Sequence, residues 1–170
     1  MSHAKNKAEW CFRKAEKEMK ESGKHRGLLK TKQDKKMAKE HIAKAKHNLR
    51  LMLLLKENDF SDWCGPAAFY SVYHSLLAIL SKHGYESRNQ ECTFAMIYSM
   101  IEDKKINIDV NMIEKIASLN MKESSVTATI TDIREQHQYG TKLSLEDKTY
   151  EDLLAIAKNI IGKSKEMIEE

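Results

Sequence analysis

Three short stretches of this sequence hold side chains able to act on a phosphate ester. FYSVYHSLLAIL (69–80) carries Tyr70, Tyr73 and His74, the turn SRNQ carries Arg88 and Asn89, and DIREQHQYG (132–140) carries Arg134, Glu135, His137 and Tyr139. Cleaving such an ester without a metal needs a group that moves a proton near neutral pH, which histidine does. It also needs a cation to steady the developing charge, which arginine supplies with a fixed fork of donors. His74 can fill the first role only where the fold brings it beside Arg88 or Arg134. The competing reading is a histidine on the inner side of a helix, hydrogen-bonded to a neighbour and holding helices in register, and this reading outweighs the catalytic one. Tyr70 and Tyr73 likewise fit a core that directs their hydroxyls toward one polar partner better than a platform for stacked bases. Arg88 and Asn89 stand in a turn that begins a helix, where free backbone amides and an arginine can receive a phosphate. A plain helix cap with a surface ion pair is the alternative there. Arg134 and Tyr139 fall near a helix end, where anchoring the next loop is favoured over binding.

Helices must position these residues. Of 170 residues only Pro66 is proline and six are glycine, so nearly the whole chain lacks the punctuation that builds hairpins. The spacing predicts a first helix over about 2–22, ended by Gly23, with Trp10, Met19, Ala8 and Ala15 on a thin apolar stripe, and a connector over 23–31. A second helix over about 32–57 places Ala38, Ile42, Ala45, Leu49, Met52 and Leu53 on one face. These two are expected to pair, with the first leaning on the outside. A third, capped by Asp59, Ser61 or Asp62, carries two apolar stripes (Phe69, Val72, Leu76, Ile79 and Tyr70, Tyr73, Leu77, Leu80) and a small-residue line, Ser71, Ser75, Ala78. A helix patterned on three sides is enclosed, and the small line marks where another backbone comes closest. Further helices follow over about 88–103, from Asp109 or Asn107, from Ser124 or Ser125, and finally from Thr149, where Asp152 completes the pattern of a capping box. The fold class is all-α: an antiparallel bundle of four main helices with additional short ones and an N-terminal basic helix.

The net charge of +4 hides a division. Residues 1–56 hold 17 Lys or Arg against 6 Asp or Glu, while the remainder is acidic. Such an end can meet RNA, an acidic partner or another copy's acidic part, and any contact with RNA should be salt-sensitive and weakly sequence-specific. Cys11, Cys64 and Cys92 form no CxxC or Cys/His cluster, so no metal is expected and free thiols of a reducing, cytoplasmic compartment are the natural reading. The longest apolar run, LMLLL at 51–55, is too short for a membrane span.

HIAKAKHNLRLMLLLKENDFSDWCGPAAFYSVYHSLLAILSKHGYESRN, followed by DIREQHQYG and YEDLLAIAKNII, resembles the HEPN (higher eukaryotes and prokaryotes nucleotide-binding) family over roughly 38–168. The resemblance divides the chain into a basic extension, 1–37, and a HEPN-like domain, 38–170. It implies a helical bundle, frequent dimerisation and work connected with RNA, often as a metal-independent ribonuclease or toxin beside an antitoxin or a minimal nucleotidyltransferase. No cofactor is implied. The family's ribonucleases carry an arginine followed four to six residues later by a histidine. Here Arg88 is followed by no histidine at those spacings, and Arg134 and His137 stand only three apart. The leading expectation is therefore a module that binds RNA, a nucleotide or a partner protein through Arg88, Asn89, Tyr70, Tyr73, His74, Arg134 and Tyr139. An endoribonuclease using Arg88 with His74 as a nonstandard acid, or a structural partner of a nucleotidyltransferase, are the alternatives.

Overall fold

The computed structural model describes residues 2–116 and 129–169. The fold is all-α, apart from one small two-stranded ribbon. Helix α1 spans His3–Ser22, capped by Ser2 and closed by Gly23 in the left-handed region. Strand β1 (Leu28–Lys30) follows, then α2 (Lys35–Glu57), a 3-10 turn (Ser61–Trp63) and α3 (Cys64–Lys82). Strand β2 (Tyr85–Ser87) leads into α4 (Gln90–Glu102), α5 (Val110–Glu114), α6 (Ile130–Tyr139) and α7 (Asp147–Glu169).

Helix α3 is the enclosed axis, packed by α2, α7, α6, β2 and α4. Its small-residue line Ser71, Ser75 and Ala78 is fully buried: Ala78 clusters with Ala38 and Ile42 of α2, and Ser71 Oγ donates to Ala45 O at 2.9 Å. Small side chains on both sides let the two backbones approach closely, as the sequence pattern anticipated. Helix α2 runs antiparallel to α3. Cys64 Sγ donates to Met52 O at one end, and Asp34 N donates to Ser81 O at the other. Helix α7 covers the pair with Leu153, Ala157, Ile160, Ile161 and Ile168, buried as its periodicity demands.

Several local expectations are corrected. Residues 23–31 are more than a connector, because Leu28–Lys30 pairs antiparallel with Tyr85–Ser87. Gly27 is needed at its approach to α1, since a Cβ there would lie 2.5 Å from Cys11 O, and Gly84 turns the chain into β2 at φ +76. Helix α1 does not pair with α2. It lies on α4, with Ala4, Ala8, Cys11 and Ala15 facing in and Trp10 and Met19 exposed. Cys11 and Cys92 form a disulfide there, with Cα atoms 5.8 Å apart, so the expectation of three thiols fails and the cysteine count no longer argues for a reducing compartment. Only Cys64 remains free, buried, with its thiol pushed up to about 11 by desolvation. None of Asp59, Ser61 and Asp62 caps α3. The 3-10 turn feeds directly into it, and Ser61 Oγ instead accepts the Leu145 N–H. Thr129 and Asp132 form the capping box of α6, while the candidate caps Ser124 and Ser125 lie outside the described residues. Helix α7 begins at Asp147, two residues before Thr149. Among the described residues no helix is long and apolar enough to cross a membrane.

Candidate nucleic-acid interface

The sequence-predicted site residues fall into three groups. The first gathers at the start of α4. Tyr73 stacks on Phe69, with ring centres 5.7 Å apart, and its hydroxyl meets Thr93 Oγ1 at 3.2 Å. Burial raises its pKa, so it stays a neutral phenol. Thr93 Oγ1 donates either to Ser87 Oγ at 2.7 Å or to Asn89 O at 3.0 Å. Asn89 is the N-cap of α4, its Oδ1 accepting the Cys92 N–H at 3.0 Å. Arg134 arrives from α6 with its guanidinium 4.4 Å from the centre of the Phe69 ring, Nη1 donating to Gln90 and Nη2 to Glu135. Its side chain is 13% exposed and Nε has no partner among the described residues. Tyr73, Asn89 and Arg134 therefore share one polar neighbourhood, and Asn89 occupies the capping role that was the alternative to phosphate binding.

Arg88 belongs to the ribbon. Its side chain is 57% exposed, and Nε donates to Glu86 Oε1 at 2.7 Å. The same carboxylate oxygen lies 3.3 Å from His25 Nε2, and the His25 Nδ1 accepts the Gly27 N–H. Arg88 and His25 hold the Glu86 carboxyl below its usual range despite partial burial. Sequence reasoning missed His25 and Glu86, whose meeting depends on a strand register that no local pattern announces. The His25 side chain is 2% exposed, which leaves it structural.

His74 forms the third group with His41 of α2. Their Nδ1 atoms face each other at 3.0 Å, so one ring donates and the other accepts. Desolvation, with smaller contributions from His41 and Lys44, brings the pKa of His74 down to about 4, and burial lowers His41 as well. Both rings are neutral at neutral pH, and among the described residues no hydrogen bond joins His74 to Arg88 or Arg134. As a neutral ring bonded to His41, His74 is not placed as the proton donor of the alternative nuclease reading. Tyr70, at 44% exposed, and Tyr139, at 77%, reach solvent. His137 is buried and lines a separate cavity of about 750 Å3 between α6 and α7.

The basic first third of the chain divides sharply in space. On α1, Lys5, Lys7, Arg13, Lys14 and Lys17 all lie within ion-pair distance of carboxylates, from α1 itself or from α4 and the residue after it. On α2, Lys56 meets Asp147, and among the described residues Lys35, Lys36, Lys39, Lys44, Lys46 and Arg50 have no carboxylate partner. All six are exposed. Lys35, Lys39, Lys46 and Arg50 fall on one row at helical spacing, about 22 Å long at 1.5 Å per residue. Among the described residues no cluster of His, Cys, Asp and Glu could hold a metal ion.

No curated protein matches the sequence. A family model for the HEPN domain matches residues 38–167, which takes in α2 to α7 and leaves α1 and β1 outside. With the helical architecture and the match in agreement over most of its length, the chain belongs to the HEPN domain family.

Proposed function

We propose that this HEPN-domain chain binds RNA along the exposed face of α2 and does not cleave it. The family's association with nucleotides and RNA supplies the ligand class. The unpaired row Lys35, Lys39, Lys46 and Arg50 is the observation that carries the reading, because cations without internal partners are free to displace counterions from a phosphate backbone. The reading without cleavage is supported by the partners of the two candidate groups: His74 is bonded to His41 and Arg88 to Glu86, and among the described residues no hydrogen bond brings them together.

Filter retention of a single-stranded RNA across a salt series tests this. Binding should fall steeply with salt, and replacing the four cations of the row by glutamine should flatten the log–log slope by about 3. RNA incubated with the protein in chelator should stay intact. Retention equal to wild type in the four-site variant would refute the reading.

A second copy is the partner we propose for the turn between α2 and α3, where Leu51, Leu54, Phe60 and Trp63 are all exposed. Exposed large side chains gathered in one region mark association surfaces, and HEPN chains dimerise often. Sedimentation of wild type and Trp63→Ser should show a dimer that the substitution weakens. A monomeric wild type at high micromolar concentration would exclude it.

A further inference from the structure

Helices α6 and α7 both pack on α3 and have little packing between them. The gap is a cavity of about 750 Å3. Ile130 and Ile133 of α6, Leu145 of the connecting loop, and Leu153 and Ile156 of α7 give it apolar walls. Helical spacing aligns them: Ile130, Ile133 and His137 share one face of α6, and Leu153 and Ile156 one face of α7. Bonds outside the cavity tie these walls down. The N–H groups of Ile130 and Thr131 donate to Lys115 O and Ile116 O, and the Leu145 N–H donates to Ser61 Oγ.

One polar side chain is buried among these walls. His137 is 8% exposed, and its Nδ1 is sealed from solvent with no partner among the described residues. A buried polar atom left unanswered costs free energy, so each one calls for an explanation. Buried N–H groups without an acceptor are rarer than unused lone pairs, which puts the ring proton on Nε2. That atom too has no hydrogen-bond partner among the described residues. Nε2 is therefore the polar atom the ring can present to the cavity, and it presents it as a donor. The rim is charged and exposed, with Glu114, Glu146 and Asp152 against Lys115 and Lys142. A mouth with more carboxylates than ammonium groups does not favour an anion.

We infer that this cavity binds a small, neutral, mainly apolar molecule whose one hydrogen-bond acceptor, a carbonyl oxygen, meets His137 Nε2. The volume and the lining agree with this class, since sites for small molecules combine apolar walls with a few placed polar groups. A ligand polar all round would leave the five aliphatic walls unmatched, and an anionic head would meet the carboxylates of the rim. No residue of α2 is among the described lining, so the inference and the RNA reading do not depend on each other.

Prodan tests the inference. It is a neutral naphthyl ketone whose emission moves to the blue in apolar surroundings and back toward the red when its carbonyl accepts a hydrogen bond. Titration with the wild type should give a saturable blue shift from a single site. His137→Leu should weaken binding about fivefold, as loss of one hydrogen bond does, and should move the emission of the bound dye further to the blue. Leucine removes the unanswered nitrogen, so this variant should melt no lower than the wild type, and its effect cannot be ascribed to misfolding. Ile156→Glu places a carboxylate on the half-buried wall and should weaken binding by more than about tenfold. Trp63→Ser, at the exposed cluster of the α2–α3 turn, should leave the signal as in the wild type, and naphthalene-2-sulfonate should fail to displace the dye. No saturable shift in the wild type, unchanged affinity and emission in His137→Leu, loss of the signal in Trp63→Ser, or displacement by the sulfonate would overturn the inference.

Discussion

Helices α1 and α2 carry nearly the same number of cations, six Lys or Arg in α1 and seven in α2, yet they present opposite surfaces. Helix α1 holds four glutamates among its lysines and faces more acid on α4. Its charge is met inside the molecule, and Lys7 and Lys14 lie over the Trp10 ring besides. Helix α2 holds only Glu40 and Glu57, and its cations face solvent. The two are also fastened differently. Helix α1 is joined to α4 through a disulfide and a line of alanines, whereas α2 is locked to α3 by close small-residue contact and by Lys56 to Asp147 at its end. Net charge along a sequence measures how many cations there are. What a partner meets depends on how many are already answered.

That contrast can be broken in graded ways. The largest effect should come from reducing Cys11–Cys92, which spans 81 residues. Loss of the crosslink should lower unfolding stability by about 2–4 kcal/mol in urea melts, and hydrogen exchange should rise in α1 and α4 while α2 stays protected. Next, Ala45→Leu forces a side chain between α2 and α3 where Ser71 now donates to Ala45 O, and should cost about 1–3 kcal/mol with α1 unaffected.

A smaller effect belongs to the histidine pair between α2 and α3. In the unfolded chain a histidine takes a proton as pH falls below about 6.5. Folded His74 resists protonation until about 4, so between these values the unfolded state binds more protons and stability falls as pH drops. After solvent screening the loss should be about 1 kcal/mol between pH 7 and 4.5, and His74→Gln should remove most of that slope. The smallest effect is Lys17→Ala on α1. The side chain is exposed and its pair with Glu21 is 3.8 Å long, so stability should change by less than about 0.5 kcal/mol and RNA retention not at all. A clear drop in retention would show that α1 shares the interface.

What could be read in the chain beforehand follows the same division. The axis helix, its buried line Ser71, Ser75, Ala78 and the apolar face of α7 were legible because each repeats at helical spacing and is decided by burial. The disulfide was not, since cysteines 81 residues apart carry no sign of meeting. Nor was the ribbon, because three-residue strands are too short for alternation to register. At the candidate site, Asn89 reads as a cap from its place before QECTF. The pairing of His41 with His74, of His25 with Glu86 and of Arg134 with Phe69 each depends on how one element slides against another. Leu53 and Tyr70 were placed on inward stripes and are exposed, because α2 and α3 are covered on fewer sides near their shared turn than along the rest of their length.

The ribbon has a practical meaning for anyone wishing to work with the family-matched region alone. Leu28–Lys30 lies outside that region and Tyr85–Ser87 inside it, so a protein trimmed to begin at residue 38 would lose half of this sheet. It would also bare the flank of α4 that Ala4, Ala8 and Ala15 now shield, with Cys92 left as a lone thiol. A raw strand edge beside a freshly wetted greasy flank invites clumping. The short form should precipitate at concentrations where the whole chain stays dispersed.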